Sequence, residues 1–428
     1  MFDNIIQEIV SLFYNKNPKK EDILNLLFEN DELKQKFANE IRRSTVIWNL
    51  ANKIFNQLNI QDSCKIMAIW DIEFFWELND IWNEKIKKSL CDIDPSKLSF
   101  YDLVWLWSEK LKERLYDYMN LYYDFPILRE KIQNEIIPCY GSTDGFVMLL
   151  DTLKQKYNQA NFIFPETSFL ANTKISETYG FKSIKINKPS VNNFFISKEQ
   201  IDNIYQNNNE QNIFYFTSVG NPTWEKIIWE DLYKIIEYIV YKDNKSIIIL
   251  DNVYVWLLKK SVSTKMFYKI FSDEKFMNQI IFCESLSKTL WTTWIRIWFL
   301  WTLNKEYSLI LKRNITLKKA WFSKVLDQMM INLLSNLNEI ISFQNNVYDF
   351  ISNQRINFMK YIKNNFSDFF DFDKSSNVEE REGIYILLKI KDWFTSQYIF
   401  AKTGIIWVEI VLSDWKYIRY SFWNTNYF

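Results

Sequence analysis

The sequence predicts an α/β protein: a largely parallel sheet covered by helices on both faces, followed by a smaller α+β region. Two observations carry this expectation. From about residue 140, helix-like stretches alternate with short apolar runs rich in β-branched and aromatic residues, the pattern of a sheet buried on both sides. Polar, chemistry-bearing residues cluster at the ends of those runs or just beyond them, where ligands of such sheets bind.

In chain order, residues 1–45 place Ile5, Ile9 and Phe13, then Ile23, Leu26 and Leu27, at helical spacing with charges between them. They predict short amphipathic helices packed as an extension on the main body, with a partner-binding module as the alternative. Helices are expected over Phe146–Tyr157 and Asp231–Tyr241. Strands are expected over Asn161–Phe164, Lys182–Ile186, Ile213–Phe216, Ser246–Leu250 and Gln279–Phe282. After residue 312 a long helical region precedes the strand-like segments Gly383–Ile390 and Tyr417–Phe422.

Composition narrows the chemistry. Of the 428 residues, 48% are apolar, enough for a sizeable core, and 52 basic residues balance 52 acidic ones. A neutral total argues against a nucleic-acid or anionic-membrane surface over much of the protein. No apolar stretch approaches the roughly 20 residues of a membrane helix, and the acidic start lacks a secretory pattern. Cys64, Cys91, Cys139 and Cys283 form no CxxC pair, as expected of reduced thiols in a cytoplasmic protein. The chain has no histidine, which removes Ser-His-Asp and Cys-His catalysis and leaves only Cys and carboxylates as likely zinc ligands; no metal site is expected. Proton transfer near neutral pH falls to a Lys, Tyr, Cys or carboxylate whose pKa is shifted.

Six motifs follow one another. Gly141-Ser142-Thr143-Asp144-Gly145 opens a helix, where exposed N–H groups beside hydroxyls can cradle a phosphate, although a plain helix cap is the commoner meaning. Asn221-Pro222-Thr223 follows one apolar run, and Asp251-Asn252-Val253-Tyr254 ends another. Ser285-Leu286-Ser287-Lys288 ends a third, and Arg296 lies eight residues beyond the lysine. Arg419 sits inside the apolar run Tyr417–Phe422, where a buried guanidinium needs an anionic partner.

In this order and spacing the chain resembles the class I and II aminotransferases, fold type I pyridoxal-phosphate enzymes, over roughly residues 97–428. The resemblance implies a pyridoxal 5′-phosphate cofactor carried by Lys288 as a Schiff base. Lys288 then moves the proton between substrate and cofactor. By the same resemblance Asp251 pairs with the pyridine nitrogen, and Asn221 and Tyr254 hydrogen-bond the ring's phenolic oxygen. Ser142, Thr143, Ser285 and Arg296 match the phosphate contacts, and Arg419, with Asn221, matches the grip on the substrate carboxylate. The family's ring-stacking position falls at Thr167, with Phe169 two residues on. Tyr101 is the candidate for a tyrosine that reaches the neighbouring subunit's phosphate.

Four segments are expected: a helical extension over 1–45, the N-terminal part of a small domain over 46–99, a large cofactor domain over 100–312 and the rest of the small domain over 313–428. The implied activity is amino-group transfer between an amino acid and a 2-oxo acid by a homodimer, with no nucleic-acid or membrane partner. A lyase or decarboxylase using Lys288 is the alternative within the fold. The missing histidine disfavours those branches that stack one on the ring. A non-catalytic cofactor-sensing regulator is the alternative outside it, and the N-terminal 45 residues are short and not basic for that.

Tryptophan stands where the family has glycine: Trp224 after Asn-Pro-Thr, Trp294 and Trp298 around Arg296, and Trp423 after Arg419. Trp291 stands where the family often has a small residue, and Trp107 and Trp415 follow the same pattern. The chain has 18 tryptophans and 6 glycines, together close to the roughly 30 glycines expected at this length. Glycine serves such loops because φ is positive or backbones come close, and an indole there overpacks the site. The expectation is a gene whose UGA codons mean glycine; the alternative is a degenerate homologue with real tryptophans. UGG codons at 224, 294, 298 and 423 would exclude the first.

Overall fold

The computed structural model describes residues 2–422 apart from 15, 17, 37–42, 61–64, 67–75, 99–107, 128, 189–195, 208–209, 222, 224–228, 258–266, 289, 291–295, 320–321, 377–382 and 413–415. Tyr101, Trp107, Trp224, Trp291, Trp294, Trp415 and Trp423 lie outside the described residues. The chain divides into two compact units. One holds residues 75–221 and 225–350; the other holds 1–74, 222–224 and 351–428.

The larger unit is built on a seven-stranded sheet. Its strands are β1 (Ile137–Tyr140), β2 (Ala160–Pro165), β3 (Lys182–Ile186), β4 (Gln211–Thr217), β5 (Ile247–Asp251), β6 (Ile280–Ser285) and β7 (Ile297–Trp301). Their spatial order is β1-β7-β6-β5-β4-β2-β3. From β6 through β5, β4 and β2 to β3 every pairing is parallel, and β7 runs antiparallel to both β6 and β1. The five expected strands are present: Lys182–Ile186 has the expected bounds, and the other four end one to three residues further on. Four of them are buried along their interiors, Ile247–Leu250 and Ile213–Phe216 being at most 1% exposed, which is why they read as continuous apolar runs, whereas β3 lies at the sheet edge with only Ile186 buried. β7 lies within the Arg296 motif and was not anticipated as a strand. Helix α1 (Ser142–Lys156) packs its Phe146 edge-on against Phe162 of β2 and Tyr215 of β4. Helix α2 (Leu170–Thr178) follows β2.

In the other unit, four antiparallel strands, β8 (Phe370–Ser376), β9 (Tyr385–Ile390), β10 (Val408–Val411) and β11 (Lys416–Ser421), lie in the order β10-β11-β9-β8. The N-terminal segment forms helices Phe2–Phe13, Lys20–Glu29 and Asp31–Lys36 before the longer Arg43–Gln57. Ile5, Ile9, Ile23 and Leu27 are buried as the spacing predicts, whereas Leu26 is exposed and Leu24 takes its place in the core. Among the described residues no helix is long and apolar enough to cross a membrane.

Candidate active site

The site is assembled at the carboxyl ends of the parallel strands. Asp251 is the last residue of β5, in register with Thr217 of β4 and Cys283 of β6. It is only 7% exposed, and its carboxylate accepts hydrogen bonds from the Tyr215 hydroxyl at 2.6 Å and from the Val253 backbone N–H at 3.1 Å. Burial raises its pKa to about 6 against the opposing pull of those two donors. The backbone is fixed as well: Ser218 N–H donates to the Asp251 carbonyl at 3.1 Å and Asn252 N–H to the Cys283 carbonyl at 2.8 Å.

The side chains that follow Asp251 face opposite ways. Asn252 turns to the far side of the sheet, where its amide donates to Glu284 at 3.0 Å and to the Tyr123 hydroxyl at 3.1 Å. Tyr123 in turn donates to the buried Glu284 carboxylate at 2.9 and 3.0 Å. Tyr254, three residues on, is buried with Asn221, whose amide donates to the Tyr254 hydroxyl at 3.0 Å. The structure thus brings together two residues 33 apart in the chain that the family resemblance matches to one oxygen.

Lys288 sits half-buried in the turn after β6. Ser287 N–H donates to the Ser285 hydroxyl at 3.1 Å, and the Ser287 hydroxyl to the Ile297 carbonyl at 3.4 Å, so the turn is tied to the start of β7. The Trp82 indole N–H donates to the Leu290 carbonyl at 2.6 Å, holding the segment just beyond. The neighbouring registers of β5 and β6 put this turn beside Asp251.

The phosphate loop has a distinct local cause. Gly141 caps α1 at φ 84° and ψ 167°, a region open essentially to glycine alone. Its missing side chain makes room for Arg296: a β-carbon there would lie 2.5 Å from the guanidinium Nη2. Arg296 reaches this position from the residue before β7, itself at φ 58°. Ser142 and Thr143 occupy the first turn of α1, and Asp144 turns back to accept from the Tyr140 N–H at 3.1 Å. A cationic fork beside the start of a helix, with two hydroxyls, is a fit for a phosphate.

Arg419 lies in β11 opposite Leu387 of β9 and Val408 of β10, 9% exposed, its guanidinium 4.5 Å from the centre of the Tyr385 ring. Thr167 is buried in the turn after β2, and Phe169 is 42% exposed ahead of α2.

Two residues at this site were missed in the sequence: Tyr215, and Asn172 of α2, whose amide donates to the Tyr215 hydroxyl at 2.8 Å. Neither carries a mark in the sequence, and for Tyr215 the signal lies in the strand register. Tyr215 is two residues before Thr217, the register partner of Asp251, and side chains two apart on a strand share a face.

Trp298 bears on the glycine question. A β-carbon on Gly145 would lie 1.9 Å from two carbons of its ring, so the indole fills the space against the helix backbone. The indole nitrogens of Trp298 and Trp301 are buried without an acceptor among the described residues.

A mostly parallel sheet with a buried aspartate at one strand end, a lysine in the adjacent turn and an arginine-lined glycine cradle defines the fold type I pyridoxal-phosphate enzymes. The model of the family "Aminotransferase class I and II" matches residues 105–378. The chain belongs to that family, whose members are pyridoxal-phosphate-dependent aminotransferases. No curated protein matches it. Among solved structures, an aminotransferase from Staphylococcus aureus is similar at 18% identity and TM-score 0.63, over 84% of this chain and 89% of that one. An aspartate aminotransferase double mutant from Thermus thermophilus is similar at 12% identity and TM-score 0.67, over 89% of this chain and 92% of that one. The aromatic aminotransferase from Pyrococcus horikoshii aligns at 15% identity and TM-score 0.64, over 86% of this chain and 94% of that one. At such identities the likeness speaks to the fold.

Proposed function

We propose that this protein moves an amino group between an amino acid and a 2-oxo acid, with Lys288 as the residue that carries the cofactor and moves the proton. The register of Asp251 with Cys283, which sets Asp251 beside the Ser285–Lys288 turn, is the observation that best supports this reading. When bound, pyridoxal phosphate supplies an aldehyde that joins amines covalently and a ring that draws electrons from the substrate α-carbon.

The chain's own residues do the rest. The Lys288 amine is the nucleophile that holds the cofactor and, once released, an adjustable base that moves the proton at the α-carbon. The Asp251 carboxylate would hold the ring nitrogen and keep a proton there, and Asn221 and Tyr254 would hydrogen-bond the phenolic oxygen. Ser142, Thr143 and Ser285 contribute hydroxyls, and Arg296 a two-pronged cation, to the phosphate. Arg419, with Asn221, orients the substrate carboxylate. The reading extends to a cytoplasmic location and to a homodimer, the latter tested by the mass that light scattering of the purified protein gives.

The decisive assay incubates the purified enzyme with a panel of L-amino acids and 2-oxoglutarate. Transfer predicts glutamate with the matching 2-oxo acid in equal amounts. Ammonia or carbon dioxide without new glutamate would contradict it.

A further inference from the structure

We infer that Tyr215, aimed by Asn172, is a positioning residue for Asp251, holding one carboxylate oxygen as a hydrogen-bond acceptor so that the group stays anionic toward the cofactor ring. This rests on the function proposed above. The geometry is a three-residue chain drawn from three elements. The α2 amide of Asn172 donates to the Tyr215 hydroxyl at 2.8 Å, and that hydroxyl, on β4, donates to Asp251 Oδ2 at 2.6 Å on β5. Asn172 is 6% exposed and Tyr215 fully buried, with the tyrosine ring stacked on Phe162 at 5.8 Å and edge-on to Phe146.

The arrangement has one sense. Asn172 can only donate through its amide nitrogen, so the Tyr215 oxygen accepts there and its single proton points at Asp251. Burial and the carboxylate push the Tyr215 phenol well above its ordinary value, so it remains a donor throughout the physiological range. Among the described residues, the titratable side chains shown against Asp251 are this phenol from β4 and the Cys283 thiol from β6, which burial also raises, so the thiol stays neutral, and Lys288 lies in the turn after β6. Glu284, next along β6, is engaged on the opposite face by Tyr123 and Asn252. With no histidine in the chain, no imidazole titration overlaps that of the carboxylate. A hydrogen bond to the charged form lowers the carboxyl pKa, and this one works against burial, which alone would leave Asp251 neutral at higher pH.

The test reads the carboxyl directly. Full-length protein labelled with 13C at aspartate carboxyls is stripped of cofactor and titrated by NMR, with Asp251→Asn identifying the resonance. Tyr215→Phe is expected to raise the Asp251 midpoint by about one pH unit or more. Asn172→Leu is expected to raise it by less. An unchanged midpoint in folded Tyr215→Phe overturns the inference. Should that variant not fold, an unchanged midpoint in Asn172→Leu does so. The same proteins are then reloaded with pyridoxal phosphate. A raised midpoint together with weaker cofactor retention in Tyr215→Phe supports both inference and function. A raised midpoint in a protein that never binds the cofactor supports the positioning role and overturns the function on which it rests.

Discussion

The Arg296 guanidinium occupies the space that a side chain on Gly141 would fill, with Nη2 2.5 Å from the position of the missing β-carbon. The contact joins the residue ahead of β7 to the cap of α1, and it exists because Gly141 holds a backbone conformation that only glycine adopts readily.

Gly141→Ala should therefore damage cofactor binding more than folding. The strained backbone costs ~1–3 kcal/mol, and the methyl group displaces the guanidinium from the phosphate cradle. The expected result is a cofactor dissociation constant raised about tenfold or more, measured by fluorescence titration with pyridoxal phosphate. Equal affinity in mutant and parent would remove Arg296 and Gly141 from the phosphate site.

Asp251 sets a pH dependence with a definite sign. Its folded-state pKa of about 6 lies above the unfolded 3.8, so the folded chain binds more protons between those values and loses stability as pH rises through them. The loss is absent below about pH 4 and complete above about pH 6.5. In the cofactor-free protein, the stability of Asp251→Asn relative to wild type should rise by on the order of 2–3 kcal/mol between pH 4 and pH 7. Urea denaturation at a series of pH values measures this. A difference that does not change with pH would mean that Asp251 is not held against ionisation.

On the far side of the sheet, Glu284 is the shared acceptor of Tyr123 and Asn252. Glu284→Leu leaves two buried donors without their acceptor, at ~1–3 kcal/mol each. The urea midpoint should fall accordingly, and Tyr123→Phe in the same background should recover part of the loss. A double variant as unstable as the sum of the two singles would show that they do not share a network.

Trp298 and Trp301 bury indole N–H groups without an acceptor among the described residues, and Trp298 presses on Gly145. Protein made with glycine at 224, 291, 294, 298 and 423 should melt higher and retain more pyridoxal phosphate than the tryptophan form. Differential scanning calorimetry and cofactor absorbance compare them. A tryptophan form that is the more stable and the better binder would establish these indoles as native, as would UGG codons in the gene.

Much of this was legible in the sequence, for reasons that differ by residue. Runs such as Ile213–Phe216 and Ile247–Leu250 announce buried strands because no other element keeps so short an apolar stretch wholly inside. The Asp251, Lys288 and Arg296 positions were readable because spacing along the chain survives folding. Strand order was not, since pairing β4 with β2 rather than β3 is decided across the sheet. β7 was hidden because Ile297–Trp301 follows so closely on Arg296 that the segment read as one loop motif. Tyr215 and Asn172 were missed because a lone tyrosine in an apolar strand and an asparagine in a helix carry no local mark. Only the registers that join β4 to β5 turn them into partners of Asp251.

The central claim is that Lys288 carries pyridoxal phosphate and that the bound cofactor turns over an amino acid. Borohydride reduction of the loaded enzyme, followed by peptide mass spectrometry, tests it most directly, with Lys288→Ala as control. The expected result is a pyridoxyl group fixed on the Lys288 peptide, prevented by prior incubation with an amino acid substrate and absent from Lys288→Ala. A pyridoxyl group fixed on another lysine, or equal labelling of the control protein, would contradict it.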